Sequence, residues 1–303
     1  MFSCRGSSGK GKSLPAAAVA QLQVEEEKAF PFPEIPVTLT APEARKEFLL
    51  LHYWDNFDFA DTTLVNTPEV TEQGFVNFIY LLADHTPDEQ AGLAIGNLCS
   101  GMEVKEQART VFMQLFDDYL YNANSPYLNE PLYRIYLQRM AQSPAIDEAW
   151  RSSFRFRLAL VQRNRVGMQA EDFTYFTPDG RRRTLHATPA GSGMLLLVFY
   201  DPECPSCHET LLQLAGSRDL SAAIAQGRVK VLAVYTEGNE EAWRKALPEL
   251  PSAWQAGSDR GAVKDGLLYD LKAMPSLYLL DGRHKVLLKD APVGQVLEAV
   301  AAK

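Results

Sequence analysis

Two cysteines at the end of an apolar run are the feature that most restricts how this chain can fold. Residues Met194–Tyr200 form a continuous apolar run, which is typical of a β-strand buried on both faces. The run is followed by Cys204-Pro205-Ser206-Cys207, and apolar residues then recur at a spacing that indicates a helix: Leu211, Leu212 and Leu214. A buried strand joined through a cysteine motif to a helix predicts a layered α/β architecture here.

The position of the motif predicts different chemistry for its two thiols. We expect Cys204 to precede a helix that begins at Cys207, so that free amides and the positive end of the helix dipole stabilise a thiolate. Cys204 is therefore the candidate nucleophile. Cys207, further into the helix, is the candidate resolving thiol that attacks a mixed disulfide on Cys204. This spacing predicts reversible thiol–disulfide exchange.

Strands and helices are expected to alternate through the C-terminal half. The predicted strands cover residues 172–176, 184–186, 194–200, 229–235, 277–280 and 285–288. Besides the helix after the cysteine motif, the pattern predicts helices at 240–247 and 293–301. This alternation indicates an α/β domain over residues 167–303, with a central mixed sheet and flanking helices.

Residues 15–166 show helical periodicity and are predicted to form an all-α domain. Apolar residues recur every three to four positions, for example at Phe75, Phe78, Ile79 and Leu82. Between residues 67 and 165 the pattern predicts about five antiparallel helices. Thr67 and Thr86, each followed by proline, are predicted N-caps, and Glu89 completes a predicted capping box with Thr86.

The C-terminal half resembles the thioredoxin-like superfamily, in particular its bacterial-envelope branch related to thiol–disulfide reductases of cytochrome maturation. The resemblance covers residues 167–303 and rests on Phe199–Cys207 and on Ala273–Ser276. It implies that the bond before Pro275 is cis, that this proline lies against the active-site cysteines, and that the Met274 backbone pairs with substrate. It also implies protein or peptide thiols and disulfides as partners, an upstream envelope electron donor, and no cofactor.

Two positions near the cysteines depart from the family pattern. Glu203 stands where the family usually has tryptophan, and its carboxylate is expected to tune the pKa of Cys204 by opposing thiolate formation. Val198 stands where many relatives have a buried acidic residue. Water or another group is then needed to take the proton from Cys207.

The two residues between the cysteines differ from the family as well. Pro205 and Ser206 replace the common Gly-Pro, and we expect this to alter the reduction potential in a direction that the sequence does not give. Together with Met274 and Pro275, they are the predicted substrate-binding residues.

The helical half resembles a domain of unknown function that precedes thioredoxin-like domains in bacterial lipoproteins. That resemblance rests on residues 124–133 and implies a location in the bacterial cell envelope, on the periplasmic side. Residues 1–14, rich in Gly, Ser and Lys, are a predicted flexible tether. A small residue precedes Cys4, as at a lipoprotein processing site, but the remaining parts of a signal peptide are missing. Cys4 is either a lipid-attachment site that tethers the protein to the membrane or an unmodified thiol.

Charge and cysteine usage exclude two classes of function and leave two open. A net charge of −8 argues against a nucleic-acid partner, which needs a basic face. A zinc site needs four ligands, and near the cysteine pair the sequence offers only His208. The remaining hypotheses are a thiol–disulfide oxidoreductase and a thioredoxin-fold binding module. In the second hypothesis the disulfide is static and the helical domain engages a protein, peptide or glycan.

Overall fold

Helices make up the first half of the described chain. The computed structural model describes residues 29–190 and 193–302, so the predicted tether and Cys4 lie outside it. Within these residues the helices are α1 (Pro42–His52), α2 (Thr62–Val65), α3 (Pro68–Ala83), α4 (Asp88–Met102), α5 (Glu106–Leu120), α6 (Glu130–Met140) and α7 (Glu148–Val161). The helices from α3 to α7 confirm the prediction for residues 67–165, and α1 and α2 lie outside that prediction.

Aromatic rings dominate the core between these helices. Phe112 of α5 is fully buried, and its ring contacts three rings from the segment after α1: Trp54, Phe57 and Phe59, at centroid distances of 5.2, 5.9 and 5.4 Å. Buried aromatic side chains each remove a large apolar area from water. Their burial against α5 explains why this segment packs into the core although it forms no long helix.

Thr67 is the N-cap residue of α3 with Pro68 at the first helical position, as predicted, whereas the N-cap residue of α4 is Pro87 and not Thr86. The predicted capping hydrogen bonds are wrong at both threonines. The Thr67 hydroxyl donates to the carbonyl of Thr63 at 2.8 Å, and the Thr86 hydroxyl donates to the carbonyl of Leu81 at 3.2 Å. Neither side chain accepts from an amide of the helix that follows, and the capping box with Glu89 is not formed. In each case a helix ends just before the threonine, and its last carbonyls lack partners within the helix. Each hydroxyl donates to one of these carbonyls, and this orientation leaves its oxygen without an amide donor from the helix that follows.

A mixed sheet organises the second half. Among the described residues its strands are β1 (Thr174–Phe176), β2 (Arg182–Thr184), β3 (Met194–Tyr200), β4 (Val229–Tyr235), β5 (Gln255–Ser258), β6 (Ser276–Asp281) and β7 (Val286–Leu288). Their order across the sheet is β2-β1-β5-β4-β3-β6-β7. Strands β3, β4 and β5 are parallel, and the other neighbouring pairs are antiparallel. A helical half followed by a mixed-sheet half confirms the predicted fold class.

Strand β3 lies inside the sheet and is buried on both faces, as its apolar run predicts. Its even-numbered residues from Leu196 to Tyr200 belong to one hydrophobic cluster, and its odd-numbered residues from Leu195 to Phe199 belong to the other. All of these side chains are at most 1% exposed. The full burial of β3 gives the loop after Tyr200 a fixed starting point.

Helices cover the sheet. In the described chain they are α8 (Pro205–Gly216), α9 (Arg218–Ala225), α10 (Glu240–Ala246), α11 (Ala262–Asp265) and α12 (Val293–Ala301). Helices α8, α9 and α12 pack on the face of β3 that also receives the Cys207 side chain. Helices α10 and α12 confirm the predictions at 240–247 and 293–301. Elements β5, α9 and α11 were not predicted, because they are short or lack a distinct apolar pattern.

Candidate active site

The end of β3 and the start of α8 hold the two cysteines. Helix α8 begins at Pro205, two residues earlier than predicted, so that Cys204 is its N-cap and Cys207 lies in the first turn. The correction has a simple cause: proline has no amide to leave unpaired at the first helical position. The Cys207 amide donates to Cys204 Sγ at 3.4 Å, and the Cys204 amide donates to the Asp201 carbonyl at 3.2 Å. These two hydrogen bonds close the turn between strand and helix.

Cys204 is a partly exposed thiol surrounded by hydrogen-bonding groups. Its Sγ lies 3.3 Å from Ser206 Oγ and 3.6 Å from the Met274 carbonyl oxygen. Burial raises the pKa of Cys204, but hydrogen bonds from the side chains and amides of Ser206 and Cys207 outweigh burial and lower this pKa below its ordinary value. The positive end of the α8 dipole acts in the same direction. An accessible thiol with a lowered pKa has the character of a nucleophile.

Cys207 has the opposite character. Its side chain is fully buried, and its pKa is raised to about 12, chiefly by this burial and secondarily by Cys204 and the Asp201 carboxylate. The amide of Asp201, 3.4 Å from Cys207 Sγ, donates to the sulfur and partly offsets these effects. Both cysteines of the motif are free thiols in this structure. The pair therefore combines one activated thiol with one protected thiol.

The Met274–Pro275 peptide bond is cis, as the family resemblance implied. Strand β6 runs antiparallel to β3 with Ser276 opposite Phe199, so the residues just before β6 lie beyond the end of β3. The Met274 carbonyl consequently comes within hydrogen-bonding range of Cys204 Sγ. The register of the sheet thus brings together two segments that are 70 residues apart in the sequence.

The other sequence-predicted residues lie around Cys204. Glu203, Pro205 and Ser206 are exposed on the rim of the site, and Val198 is buried within β3. Hydrogen bonds from Ser206 and Cys207 lower the Cys204 pKa. Tuning of this pKa by the Glu203 carboxylate stays a prediction.

Asp201 is a candidate that the sequence analysis missed. Its amide contacts Cys207 Sγ, its carboxylate raises the Cys207 pKa, and its Oδ1 accepts from the Glu203 amide at 3.0 Å. The signal in the sequence is the aspartate that follows the buried strand, since Asp side chains commonly accept from the amide two residues later. Asp201 thereby brings a carboxylate near the resolving thiol although Val198 supplies none.

An apolar groove follows α8 beside the cysteine motif. Its lining includes Pro202, His208, Leu211, Leu212 and Leu250. Leu212, in this lining, is 59% exposed.

The remaining chemistry-bearing residues lie away from this site. Cys99 is buried in α4, where burial raises its pKa to about 12. No set of three or more His, Cys, Asp or Glu side chains in residues 29–190 and 193–302 is arranged to hold a metal ion. Over the same residues no helix is long and apolar enough to cross a membrane.

The hydrogen bond from Ser206 leads to a testable effect. Ser206→Ala is expected to raise the Cys204 pKa and to slow alkylation of Cys204 at pH 6 about fivefold, since one hydrogen bond to a thiolate contributes about 1 kcal/mol. The measurement is the iodoacetamide reaction rate against pH, whose midpoint should move upward. Ser221→Ala, at an exposed position of α9, is the matched control and should leave the profile unchanged. Equal profiles for Ser206→Ala and wild type would exclude the Ser206 contribution.

Comparisons with known proteins agree with this architecture. The family model for a domain of unknown function, DUF5106, matches residues 4–164. The crystal structure of a thioredoxin-like protein from Bacteroides caccae is 39% identical, covers 91% of this chain and 99% of its own, and superposes with a TM-score of 0.83. No curated protein matches the chain significantly.

Two further solved structures match the C-terminal half. The C-terminal domain of an uncharacterized protein from Bacteroides fragilis is 36% identical over 46% of this chain and 98% of its own, with a TM-score of 0.44. The thioredoxin domain of a thiol-disulfide oxidoreductase from Bacteroides vulgatus is 24% identical over 46% of this chain and 96% of its own, with a TM-score of 0.40.

The match to the Bacteroides caccae protein and the family model together cover both halves of the chain. The structural match at a TM-score of 0.83 includes the sheet that carries the cysteine motif, and the family model covers helices α1 to α7. Both resemblances inferred from the sequence are thereby confirmed. The chain belongs to the DUF5106 family and is a thioredoxin-like protein.

Proposed function

We propose that the protein is a thiol–disulfide oxidoreductase of the bacterial cell envelope. The observation that carries the proposal is the contrast between the two thiols: Cys204 is accessible with a lowered pKa, and Cys207 is buried with a raised pKa. A pair of this kind separates the attacking thiol from the thiol that completes the reaction. The substrate class that fits the site is a protein or peptide disulfide.

In the first step the Cys204 thiolate attacks one sulfur of the substrate disulfide. A mixed disulfide forms between Cys204 and the substrate, the substrate S–S bond breaks, and the second substrate sulfur leaves as a thiolate that takes a proton from water. Hydrogen bonds from Ser206 and the Cys207 amide favour the thiolate before attack. Pairing of the Met274 backbone with the substrate chain holds the scissile bond beside Cys204.

In the second step Cys207 resolves the mixed disulfide. Cys204 loses its negative charge when the mixed disulfide forms, which removes one of the influences that raise the Cys207 pKa. Cys207 then gives up its proton, and we assign Asp201 as the acceptor because its amide lies 3.4 Å from Cys207 Sγ and its carboxylate raises the Cys207 pKa. The Cys207 thiolate attacks Cys204 Sγ, releasing the reduced substrate and leaving a Cys204–Cys207 disulfide. Two electrons pass to the substrate, and an upstream envelope electron donor restores the dithiol.

Substrate binding is assigned to the surface around Cys204. Met274 and Ser206 lie beside Cys204 Sγ, and Pro275 and Pro205 are their neighbours in the chain. The apolar groove along α8 is assigned to a side chain of the substrate. The proposal also locates the protein on the periplasmic side of the envelope, with a lipid on Cys4 as the membrane tether. Mass spectrometry of protein extracted from membranes tests the Cys4 assignment.

A stoichiometric transfer experiment tests the activity. The fully reduced chain is mixed with a peptide that contains one disulfide, and thiols are counted on both molecules after acid quenching. The proposal expects each chain to lose the two thiols of Cys204 and Cys207 while each reacting peptide gains two thiols. A Cys4→Ala variant should behave identically. A peptide that keeps its disulfide would refute the oxidoreductase assignment and favour the binding-module hypothesis.

A further inference from the structure

Glu130, the first residue of α6, connects the helical half to two buried lysines of the thioredoxin-like half. Its Oε2 lies 3.2 Å from Lys272 Nζ, and its Oε1 lies 2.6 Å from Lys289 Nζ. The lysine side chains are only 4% and 6% exposed, and that of Glu130 is 19% exposed. Charges at this depth depend on their partners, because water solvates them poorly.

Lys272 is the centre of this cluster. It also pairs with Asp270 at 3.1 Å and with Asp290 at 3.5 Å. Tyr121, the residue after α5, donates its hydroxyl to Asp270 Oδ1 at 2.8 Å, and its ring centroid lies 5.1 Å from Lys272 Nζ. Burial lowers the pKa of Lys272, but the carboxylates of Asp270, Glu130 and Asp290 outweigh burial and raise this pKa. Lys272 therefore stays charged, held by carboxylates from both halves.

The ammonium group of Lys289 has more partners in the helical half than that of Lys272. Besides Glu130, it contacts the carbonyls of Val161 and Arg163 at the end of α7, at 3.0 and 2.9 Å. Burial lowers the Lys289 pKa, and the Glu130 carboxylate is the largest influence opposing this effect. Glu130 thus supports both lysines.

The cluster lies next to the segment that reaches the redox site. Lys272 precedes Met274 by two residues, and the carbonyl of Met274 is 3.6 Å from Cys204 Sγ. Lys289 directly follows β7, which pairs with β6, and β6 begins immediately after Pro275. Glu130 therefore contacts the chain on both sides of the Met274–Pro275 bond.

We propose that Glu130 is a positioning residue for the Lys272–Pro275 segment, so that the helical domain completes the substrate-binding side of the redox site. This inference rests on the proposed oxidoreductase function. It assigns the domain of unknown function a direct part in holding Met274 where its backbone meets the substrate. Loss of the Glu130 charge leaves Lys289 with backbone carbonyls and removes one of three carboxylates from Lys272. The segment then shifts or samples several positions.

The expected effect depends on the substrate. A peptide disulfide pairs with the Met274 backbone, whereas a small disulfide such as hydroxyethyl disulfide needs only access to Cys204 Sγ. Small displacements of a binding group reduce rates strongly because reacting atoms lose their alignment. Glu130→Gln should therefore raise KM for the peptide disulfide at least about fivefold, with its rate on hydroxyethyl disulfide within about twofold of wild type.

The test measures both substrates with the 303-residue chain and three variants, and reduced glutathione is the electron donor that restores the Cys204–Cys207 dithiol after each turnover. Glu148→Gln, which removes an exposed ion-pair partner in the same half, is the matched control and should equal wild type. Tyr121→Phe keeps the ring and loses one hydrogen bond to Asp270, so it should raise the peptide KM in the same direction by a smaller factor. Circular dichroism verifies that each variant is folded, and Tyr121→Phe carries the test alone if Glu130→Gln does not fold.

The outcomes separate this inference from the proposed function. A wild-type chain that reduces neither disulfide would refute the oxidoreductase assignment itself. A wild-type chain that reduces both, with a folded Glu130→Gln variant of unchanged peptide KM, would refute the positioning role alone. Equal losses on both substrates would also refute it, because they would indicate general damage to the Cys204 environment.

Discussion

Under the proposed mechanism, Cys207→Ser is expected to leave the protein covalently bound to its substrate through a mixed disulfide on Cys204. The variant loses the hydrogen bond from the Cys207 side chain that helps to lower the Cys204 pKa. The amide of residue 207 still donates to Cys204 Sγ and continues to lower this pKa. The first attack therefore proceeds. The serine hydroxyl cannot displace the substrate sulfur, so the mixed disulfide on Cys204 accumulates. The rate of multiple turnover should fall at least about a thousandfold, as it does when other enzymes lose an essential catalytic nucleophile.

The measurement is non-reducing electrophoresis and intact mass spectrometry after mixing with a disulfide-containing peptide. Cys204→Ser should show neither turnover nor adduct, because it lacks the attacking thiolate. Cys99→Ala, which changes a buried cysteine outside the site, should retain turnover. An adduct that forms on Cys207 in the Cys204→Ser variant at the wild-type rate would reverse the assigned roles.

Phe112→Ala is expected to lower the free energy of unfolding of the helical half by about 4 kcal/mol. The side chain is fully buried and contacts the rings of Trp54, Phe57 and Phe59, so its removal leaves a cavity in a well-packed aromatic core. Urea denaturation monitored by far-ultraviolet circular dichroism measures this change.

Val104→Ala provides the reference for this prediction. Val104 is 63% exposed, so truncation removes little buried area and should change stability by at most about 0.5 kcal/mol. A loss below about 1 kcal/mol for Phe112→Ala would show that Phe112 is not central to this core.

Patterns within one element were the most predictable part of the fold. The apolar runs of β3 and β4 predicted both strands with the observed bounds, and the periodicity after Pro292 predicted α12 at Val293–Ala301. A strand buried on both faces has a continuous apolar run, and a helix buried on one face has apolar residues at helical spacing, so both can be predicted from the sequence. Strand β5, Gln255–Ser258, shows neither pattern, because it is four residues long and includes polar residues and glycine.

Contacts between distant segments were much less predictable. The strand-to-helix context identified Cys204 and Cys207, and the family resemblance supplied Met274 and Pro275. No local pattern indicates that Glu130 reaches a lysine 142 residues later, since this contact depends on how the two halves pack. The two threonine hydroxyls show the same limit. They donate to carbonyls of the preceding helix, whereas the capping motif takes only the following helix into account.

The reduction potential of the Cys204–Cys207 pair decides whether the two thiols exchange with substrates or form an inert bond. The full chain is equilibrated in glutathione buffers of graded ratio, free thiols are trapped with an alkylating agent, and the modified cysteines are identified by mass spectrometry. The account predicts a single two-electron transition between roughly −120 and −270 mV, the range of working exchangers. A potential below about −300 mV, or thiols that never pair in oxidising buffer, would contradict the account and identify the site as structural or inert.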